Sequence, residues 1–440
     1  RFEEPLDLNL VFSGHGKHLD CPTLQLANHH GLMIAGEAAL SNWDAGMDMY
    51  IYGKLGNLIM TKEGINVLMT NLTGKVPPIL QRLDYIRFNG EAAGYLHDLT
   101  LTGLFYTGAG MVKTDVMMSI DEQSMSRTYS GSVASADLDL GKLLNQEKKF
   151  GKVDFNVELK GFNYKNRYPE SYIKGIISSF EYSQYQYENI MLDGVYKDGG
   201  FNGRLSMDDA NGSVQIDGNF NVAKTIPDFN LKASVKNLRP HDLHLSDKYE
   251  NASISLGLTA DFTGKSIDDM NGRISLDSLQ LNAPDERGCF LDNLTITAGQ
   301  VSGEKELRIN SSFMTAVIRG DYSYHTIPAS VVKTVQRYIP SLLTIKDNMP
   351  EPHNNFQFDI CLENTEVLSK LFQIPLELYL PASLKGYFND GEEKLHVEGH
   401  FPEFRYNGTR YDSGVLFCEN PSDRFKCALR GGMLDRKSVV

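Results

Sequence analysis

The chain has 440 residues and a formal net charge of −13 at pH 7, and 41% of its residues are hydrophobic while 22% are charged. This composition is typical of a folded chain and excludes a disordered one. Nucleic acid is not an expected partner, because neutralising phosphates needs a basic stripe and the sequence contains none.

Period-two alternation begins at LDLNLVF (6–12) and returns along the whole chain. Such alternation predicts β-strands with one apolar and one polar face. In chain order, the predicted apolar faces comprise Leu6, Leu8, Leu10 and Phe12; Val153, Phe155, Val157 and Leu159; Val214, Ile216, Phe220 and Val222; Ile254, Leu256, Leu258 and Phe262; and Phe356, Phe358 and Ile360. The polar residues between them, such as Asp154, Asn156 and Glu158, are expected to face water.

Turns and helices complete the predicted elements. Clusters of Gly, Asn and Asp, such as KDGGFNG (197–203) and SGEKE (302–306), predict tight turns between strands. Helical spacing is scarce and is best developed at 139–149, 328–343 and 363–372. In the segment 328–343, Val332, Val335 and Ile339 share one helix face, and we expect this helix to cap an apolar groove.

A one-sided strand must bury its apolar face against a second sheet, in a closed barrel, or inside a curled sheet that holds something else. No Ser/Pro-rich linker interrupts the chain, and the apolar face keeps its character from Leu6 to Phe404. We therefore predict an all-β fold: an elongated, curled β-sheet that forms a repeating groove with an apolar interior and a few short helices. A row of ordinary β-sandwich domains remains the alternative.

Three stretches share an order of features, which predicts an internal repeat. Each stretch has a short leucine-bearing helix or turn, then a strand closing on Gly161, Gly264 or Gly386, and then an Asn- or Asp-led strand. The approximate units are 1–130, 131–232, 233–355 and 356–434. The last six residues, DRKSVV, match the translation of a common sequencing adapter, so 435–440 is expected to be a non-native tail.

Three segments carry a resemblance to a known family. GSVASADLDLGKLLNQEKKFGKVDFNVELKG (131–161) resembles a segment typical of the TamB family, the translocation and assembly module subunits of the AsmA-like superfamily. The stretches 308–343 and 368–388 are similar to other segments of these proteins, and the resemblance covers most of 1–434. It rests on the order of strands, turns and glycines, because the family has no invariant catalytic motif.

The resemblance implies a middle piece of a periplasmic envelope protein. Such proteins have an N-terminal inner-membrane anchor, a β-groove that carries phospholipid or assists outer-membrane protein assembly, and a C-terminal domain that meets an outer-membrane barrel of the BamA/TamA type. It implies no enzymatic activity and no cofactor. Anchor and C-terminal domain are expected outside this chain, which contains no apolar run of about 18 residues.

Other candidate sites have plainer explanations. His15, His18, His29 and His30 cluster early but lack the further ligands of a metal site, so solvated turns are expected. The tyrosines of YSQYQYENI (182–190) suggest either a sugar-stacking platform or, preferably, aromatic packing across strands. Cys418 and Cys427 flank a turn and are expected to be free thiols in preference to a disulfide. No nucleophile–base set is present.

Two other function classes stay open at this point. One is a structural or adhesive β-sandwich repeat protein, with carbohydrate as its candidate ligand. The other is a β-helix polysaccharide lyase, which the long repeat disfavours, because such an enzyme needs a short coil repeat.

Overall fold

A computed structural model describes residues 6–121, 123–124, 126–163, 170–247, 250–284, 288–327, 329–330, 332–333, 354–372, 374–420 and 425–433. Strands account for 68% of the chain, which confirms the all-β class. They form an antiparallel, curled and unclosed sheet of 27 strands with a few short helices, as predicted.

The chain divides into two compact units, and each is described separately. The first unit comprises Arg1–Asp217 and Asp242–Ser246, and the second comprises Gly218–His241 and Asp247–Val440. The predicted repeat boundaries at residues 130, 232 and 355 stay predictions.

The first unit contains thirteen strands and the start of a fourteenth. They are β1 (Leu6–His15), β2 (His18–Asn28), β3 (Leu32–Ser41), β4 (Tyr50–Thr61), β5 (Tyr85–Tyr95), β6 (Asp98–Thr107), β7 (Gly110–Ile120), β8 (Arg127–Ala136), β9 (Leu138–Asp139), β10 (Phe150–Asn163), β11 (Glu170–Tyr182), β12 (Tyr185–Lys197), β13 (Gly200–Asp209) and β14 (Gly212–Asn221). From β1 to β13 each long strand pairs antiparallel with the next long strand, and the short β9 also pairs with β10.

The second unit continues in the same antiparallel manner. Its strands after β14 are β15 (Asp228–Leu238), β16 (Ser253–Thr263), β17 (Asn271–Asn282), β18 (Cys289–Leu291), β19 (Leu294–Val301), β20 (Glu304–Ser311), β21 (Met314–Asp321), β22 (Asn355–Leu362), β23 (Leu376–Leu378), β24 (Ala382–Asn389), β25 (Lys394–Tyr406), β26 (Thr409–Glu419) and β27 (Lys426–Met433).

Short α-helices lie between the strands: α1 (Lys62–Thr73), α2 (Pro78–Gln81), α3 (Leu140–Leu144) and α4 (Glu366–Phe372). The predicted helices at 139–149 and 363–372 are present in shortened form. α1 is a helix that the sequence analysis missed. The Thr61 side chain caps its first turn by accepting from the Gly64 amide, and Gly74 ends it in the left-handed conformation.

The predicted turn chemistry is present at KDGGFNG and SGEKE. Asp198–Gly199 and Ser302–Gly303 each have two consecutive residues with positive φ, which is the geometry of a two-residue hairpin loop matched to the twist of its strands. In the β26–β27 hairpin the sequence expectation of free thiols was wrong, because Cys418 and Cys427 face each other across the strands and form a disulfide.

Candidate functional site

The strand β10 separates its apolar and polar residues as the sequence alternation predicts. Val153 is buried, Phe155, Val157 and Leu159 are half-buried, and Asn156 and Glu158 are exposed. Between Asp154 and Phe155 the pairing with β11 shifts by one residue, because β11 contains the extra residue Ser178 at this point. β10 has no extra residue there, so its own side chains continue to alternate between the two faces. We call the side of the sheet that carries Val157 the inner face and the opposite side the outer face.

The inner face of β8 and β10–β13 is built of rows that cross the strands. One row joins Phe155 to Ile177, Ile190 and Met207; the next joins Val133, Val157, Gly175, Leu192 and Leu205; and a third joins Gly131, Leu159, Ile173, Gly194 and Gly203. Every residue other than glycine in these three rows is half-buried. The middle of this face is therefore aliphatic and reachable by solvent.

A charged ladder lies directly behind these rows on the outer face. Register places Glu158 opposite Lys174, Lys174 opposite Asp193, and Asp193 opposite Arg204. Lys174 and Asp193 are 3.3 Å apart, and Arg204 and Asp217 are 2.5 Å apart. The hydrogen bond and charge of Asp193 raise the pKa of Lys174, and the Tyr172 hydroxyl followed by Lys174 lowers the pKa of Asp193. These exposed charges mark the outer face as the water-facing one.

One glycine shows how closely the strands approach on the inner face. Gly131 has φ of 145°, in the region that favours glycine, and a Cβ atom there would overlap the carbonyl oxygen of Asp115 in β7. A side chain at this position would have to displace a neighbouring strand backbone.

Helices and a loop cover the inner face of the first unit at one end of its strands, which we call the capped end. It is the end where β4, β8 and β11 finish. The core there consists of Ile65, Leu83, Ile86 and Ala109, with Met60, Met69, Val76, Leu80, Phe105 and Leu143 packed against it. These residues come from α1, α2, α3 and the strands they cover.

Further along the capped end, the segment 242–246 also covers the inner face. Leu243 is fully buried, and the Tyr187 hydroxyl donates to its carbonyl oxygen at 2.9 Å. Tyr185 and Tyr187 pack edge to face with ring centroids 4.8 Å apart. Burial, and then a hydrogen bond donated to Asp209, raises the pKa of Tyr185 to about 12. The tyrosines therefore pack into the protein, as the preferred sequence interpretation held.

In the second unit, the apolar faces of the strands pack against the unit's own segments. Phe356 and Phe388 are buried in a cluster with Met270, Tyr322 and Leu395, and the partly buried Phe262, Phe358 and Ile327 join it. A second cluster contains Leu279, Leu281 and Phe313, with Ile254 and Leu256 packed against it and Val367 of α4 within it. The alternating faces predicted at 254–262 and 356–360 are thus largely covered by protein.

The helix predicted at 328–343 is described only at its start. Ile327, Ala329, Ser330, Val332 and Lys333 are helical, and Val332 is half-buried. Ser330 is buried, and its hydroxyl accepts a hydrogen bond from the Asn354 amide at 2.6 Å. Val335 and Ile339 lie outside the described residues, so their predicted capping role stays a prediction.

The remaining predicted face residues differ in exposure. In the edge strand β1, Leu8, Leu10 and Phe12 are 57%, 39% and 67% exposed, because only β2 pairs with it among the described strands. The side chain of Leu6 lies outside the described residues. Val214, Ile216, Leu258 and Ile360 are half-buried, whereas Phe220 and Val222 are exposed. Contact of any of these residues with lipid stays a prediction.

A cavity of about 560 Å³ lies against the outer face of β3–β7 and not against the aliphatic rows. Glu37, Lys54, Glu91 and Lys113 contribute charges of both signs to its wall, and Thr102 adds a hydroxyl. Leu55 and Leu104 add apolar surface, so the lining is mixed in polarity.

The described residues contain no cluster of three or more His, Cys, Asp or Glu side chains arranged to hold a metal ion. Nor does any helix among them combine the length and apolar character needed to cross a membrane. Compared with protein-family models, with curated proteins and with solved structures, the chain gives no match.

Sequence reasoning missed the residues that close the capped end. Leu243 sits in a polar loop, HDLHLSD, and its partner Tyr187 is 56 residues away, so no local pattern reveals the contact. The helix α1 left a clearer signal, since Ile65 and Met69 follow helical spacing between Thr61 and Gly74.

Proposed function

We propose that the inner face of the first unit binds and conducts phospholipid acyl chains. The observation that carries this proposal is the contrast between the two faces of β8 and β10–β13. The inner rows are aliphatic and half-exposed, whereas the outer ladder is charged and solvated. Contiguous apolar surface of this kind on a soluble protein marks a binding surface.

Acyl chains suit this surface because both are apolar. Each methylene group moved from water onto apolar side chains gains about 0.8 kcal/mol, without any directional contact. A conducting surface needs such non-directional contacts, because the cargo must move past successive rows.

The resemblance of 131–161 to TamB proteins extends the proposal to a place in the cell. The protein would act in the periplasm in envelope biogenesis, carrying phospholipid or assisting outer-membrane protein assembly. Its partner at the outer membrane would be a barrel of the BamA/TamA type. No enzymatic step and no cofactor form part of the proposal.

The packed clusters of the second unit favour a structural role for that part of the chain. Phe356 and Phe388 occupy a protein core there, as in the β-sandwich alternative. That alternative predicts that the inner face of the first unit also packs against protein, through contacts with another molecule.

Photo-crosslinking from neighbouring positions of β10 separates the two functions. A photoreactive residue at Phe155 faces inward, and the same residue at Asn156 faces outward. In a lipid-replete membrane preparation, the inward probe should capture phospholipid and the outward probe should not. Capture of protein alone at Phe155, or equal lipid capture at both positions, would contradict lipid conduction by this face.

A further inference from the structure

The inner face of the first unit ends in a different kind of row at the end opposite the capped end. Tyr129 and Ser171 lie on either side of Gly161, Ser171 is opposite Tyr196, and Tyr196 is opposite Phe201. We call these residues the tyrosine row. The hydroxyl groups of Tyr129 and Ser171 are hydrogen-bonded to each other.

The tyrosine row is amphipathic, unlike the aliphatic rows beside it. The Tyr129 ring lies next to Gly161, and the Phe201 ring lies next to Gly194 and Gly203, so both rings cover glycine backbone. The ring of a tyrosine suits apolar surroundings while its hydroxyl requires a hydrogen-bond partner, and tyrosines concentrate at membrane interfaces for this reason.

The two ends of the strands therefore differ in polarity. Val153 and Tyr187 are buried at the capped end, where Leu243 is also fully covered. In the tyrosine row Ser171 is buried, whereas Tyr129, Tyr196 and Phe201 are half-buried. Six residues separate Phe155 from Gly161, which is roughly 20 Å of strand. One leaflet of a bilayer is about 15 Å of hydrocarbon, so an acyl chain fits this length.

We infer that a phospholipid binds the inner face in one orientation, with its acyl ends toward the capped end and its headgroup region at the tyrosine row. This inference rests on the proposed function and adds a direction to it. One of the Tyr129 and Ser171 hydroxyls donates to the other, so the remaining O–H of the pair is the one that donates to an ester or phosphate oxygen. The aliphatic rows between the two ends receive the chains.

Two photoreactive phospholipids test the orientation on the full chain. One carries a diazirine near the acyl terminus and the other carries it on the headgroup, and each is supplied in vesicles of phosphatidylethanolamine and phosphatidylglycerol. Labelled peptides are then identified by mass spectrometry. The acyl probe should label peptides around Ile177 and Ile190, and the headgroup probe should label peptides around Tyr129 and Tyr196.

A double variant keeps the rings and removes the hydroxyls. Tyr129→Phe with Ser171→Ala should reduce headgroup labelling about fivefold to tenfold, the loss expected for one hydrogen bond, while acyl labelling persists. Tyr106→Phe, on the outer face, is the matched control and should leave both patterns unchanged.

The outcomes distinguish this inference from the proposed function. Headgroup labelling at the capped end, or equal labelling of both ends by both probes, would overturn the orientation and leave lipid binding in place. Absence of inner-face labelling by either probe would overturn the proposed function and the orientation together.

Discussion

Replacing Leu243 by Ala tests how the capped end of the first unit is closed. The Leu243 side chain is 0% exposed, and its carbonyl oxygen accepts the Tyr187 hydroxyl at 2.9 Å. The substitution keeps the backbone carbonyl and removes only the buried isopropyl group. Leucine-to-alanine changes in cores cost about 2–5 kcal/mol through lost transfer energy and the remaining cavity. Full burial leads us to expect about 3 kcal/mol.

Hydrogen exchange of β11 and β12 measures this cost in the first unit. A single unfolding midpoint is unsuitable, because a chain of two compact units need not unfold in one step. A loss of about 3 kcal/mol accelerates exchange through unit-wide opening roughly 10²-fold. Leu245→Ala is the matched control, since Leu245 is 52% exposed and lies in the same segment. Equal exchange in the two variants would refute the packing role assigned to Leu243.

Three further predictions follow from other parts of the chain. Gly131→Ala should destabilise the first unit by about 1–3 kcal/mol through backbone strain and overlap with β7, whereas Gly53→Ala, which meets no atom within 4 Å, should be nearly neutral in the same exchange experiment. Tyr185, with a pKa raised to about 12, contributes stability that is complete below pH 10 and lost as the pH rises through about 12. Urea unfolding followed by Trp43, the single tryptophan and a residue of the first unit, should show a smaller loss in Tyr185→Phe than in the wild type, because burial also raises the pKa of Tyr187. Thiol titration of denatured, unreduced protein should detect three of the five cysteines, Cys21, Cys289 and Cys361, and detection of five would exclude the Cys418–Cys427 disulfide.

The orientation of β10 was predictable because a strand has a side-chain period of two. Val157 and Glu158 occupy opposite faces in every register, and the shift near Asp154 does not exchange them. The turns at Asp198–Gly199 and Ser302–Gly303 were predictable for a similar local reason, since Asp-Gly and Ser-Gly pairs mark turns and Gly readily adopts positive φ.

What covers a face was not predictable from alternation. Val157 and Phe356 belong to the same kind of sequence pattern, yet Val157 is half-buried in the first unit and Phe356 lies in a core of the second. The difference arises because a segment distant in the chain, residues 322–327, packs against Phe356 in the second unit. Alternation identifies which side chains share a face, whereas burial depends on contacts between residues far apart in sequence.

The same limit explains the tyrosine row. Tyr129, Ser171 and Tyr196 come from three strands, and only the register of β8, β10, β11 and β12 places them side by side. A pattern in one strand cannot reveal a row that crosses several strands.

Quantifying phospholipid bound to the purified protein tests the central claim most directly. Native mass spectrometry would compare the wild type with Val157→Asp on the inner face and Asn156→Asp on the outer face of the same strand. We predict that phospholipid remains bound to the wild type and to Asn156→Asp and is lost from Val157→Asp, because a carboxylate in an aliphatic row is costly beside acyl chains. Wild-type protein free of phospholipid after isolation from lipid-replete membranes, or equal retention by both variants, would contradict lipid binding by the inner face.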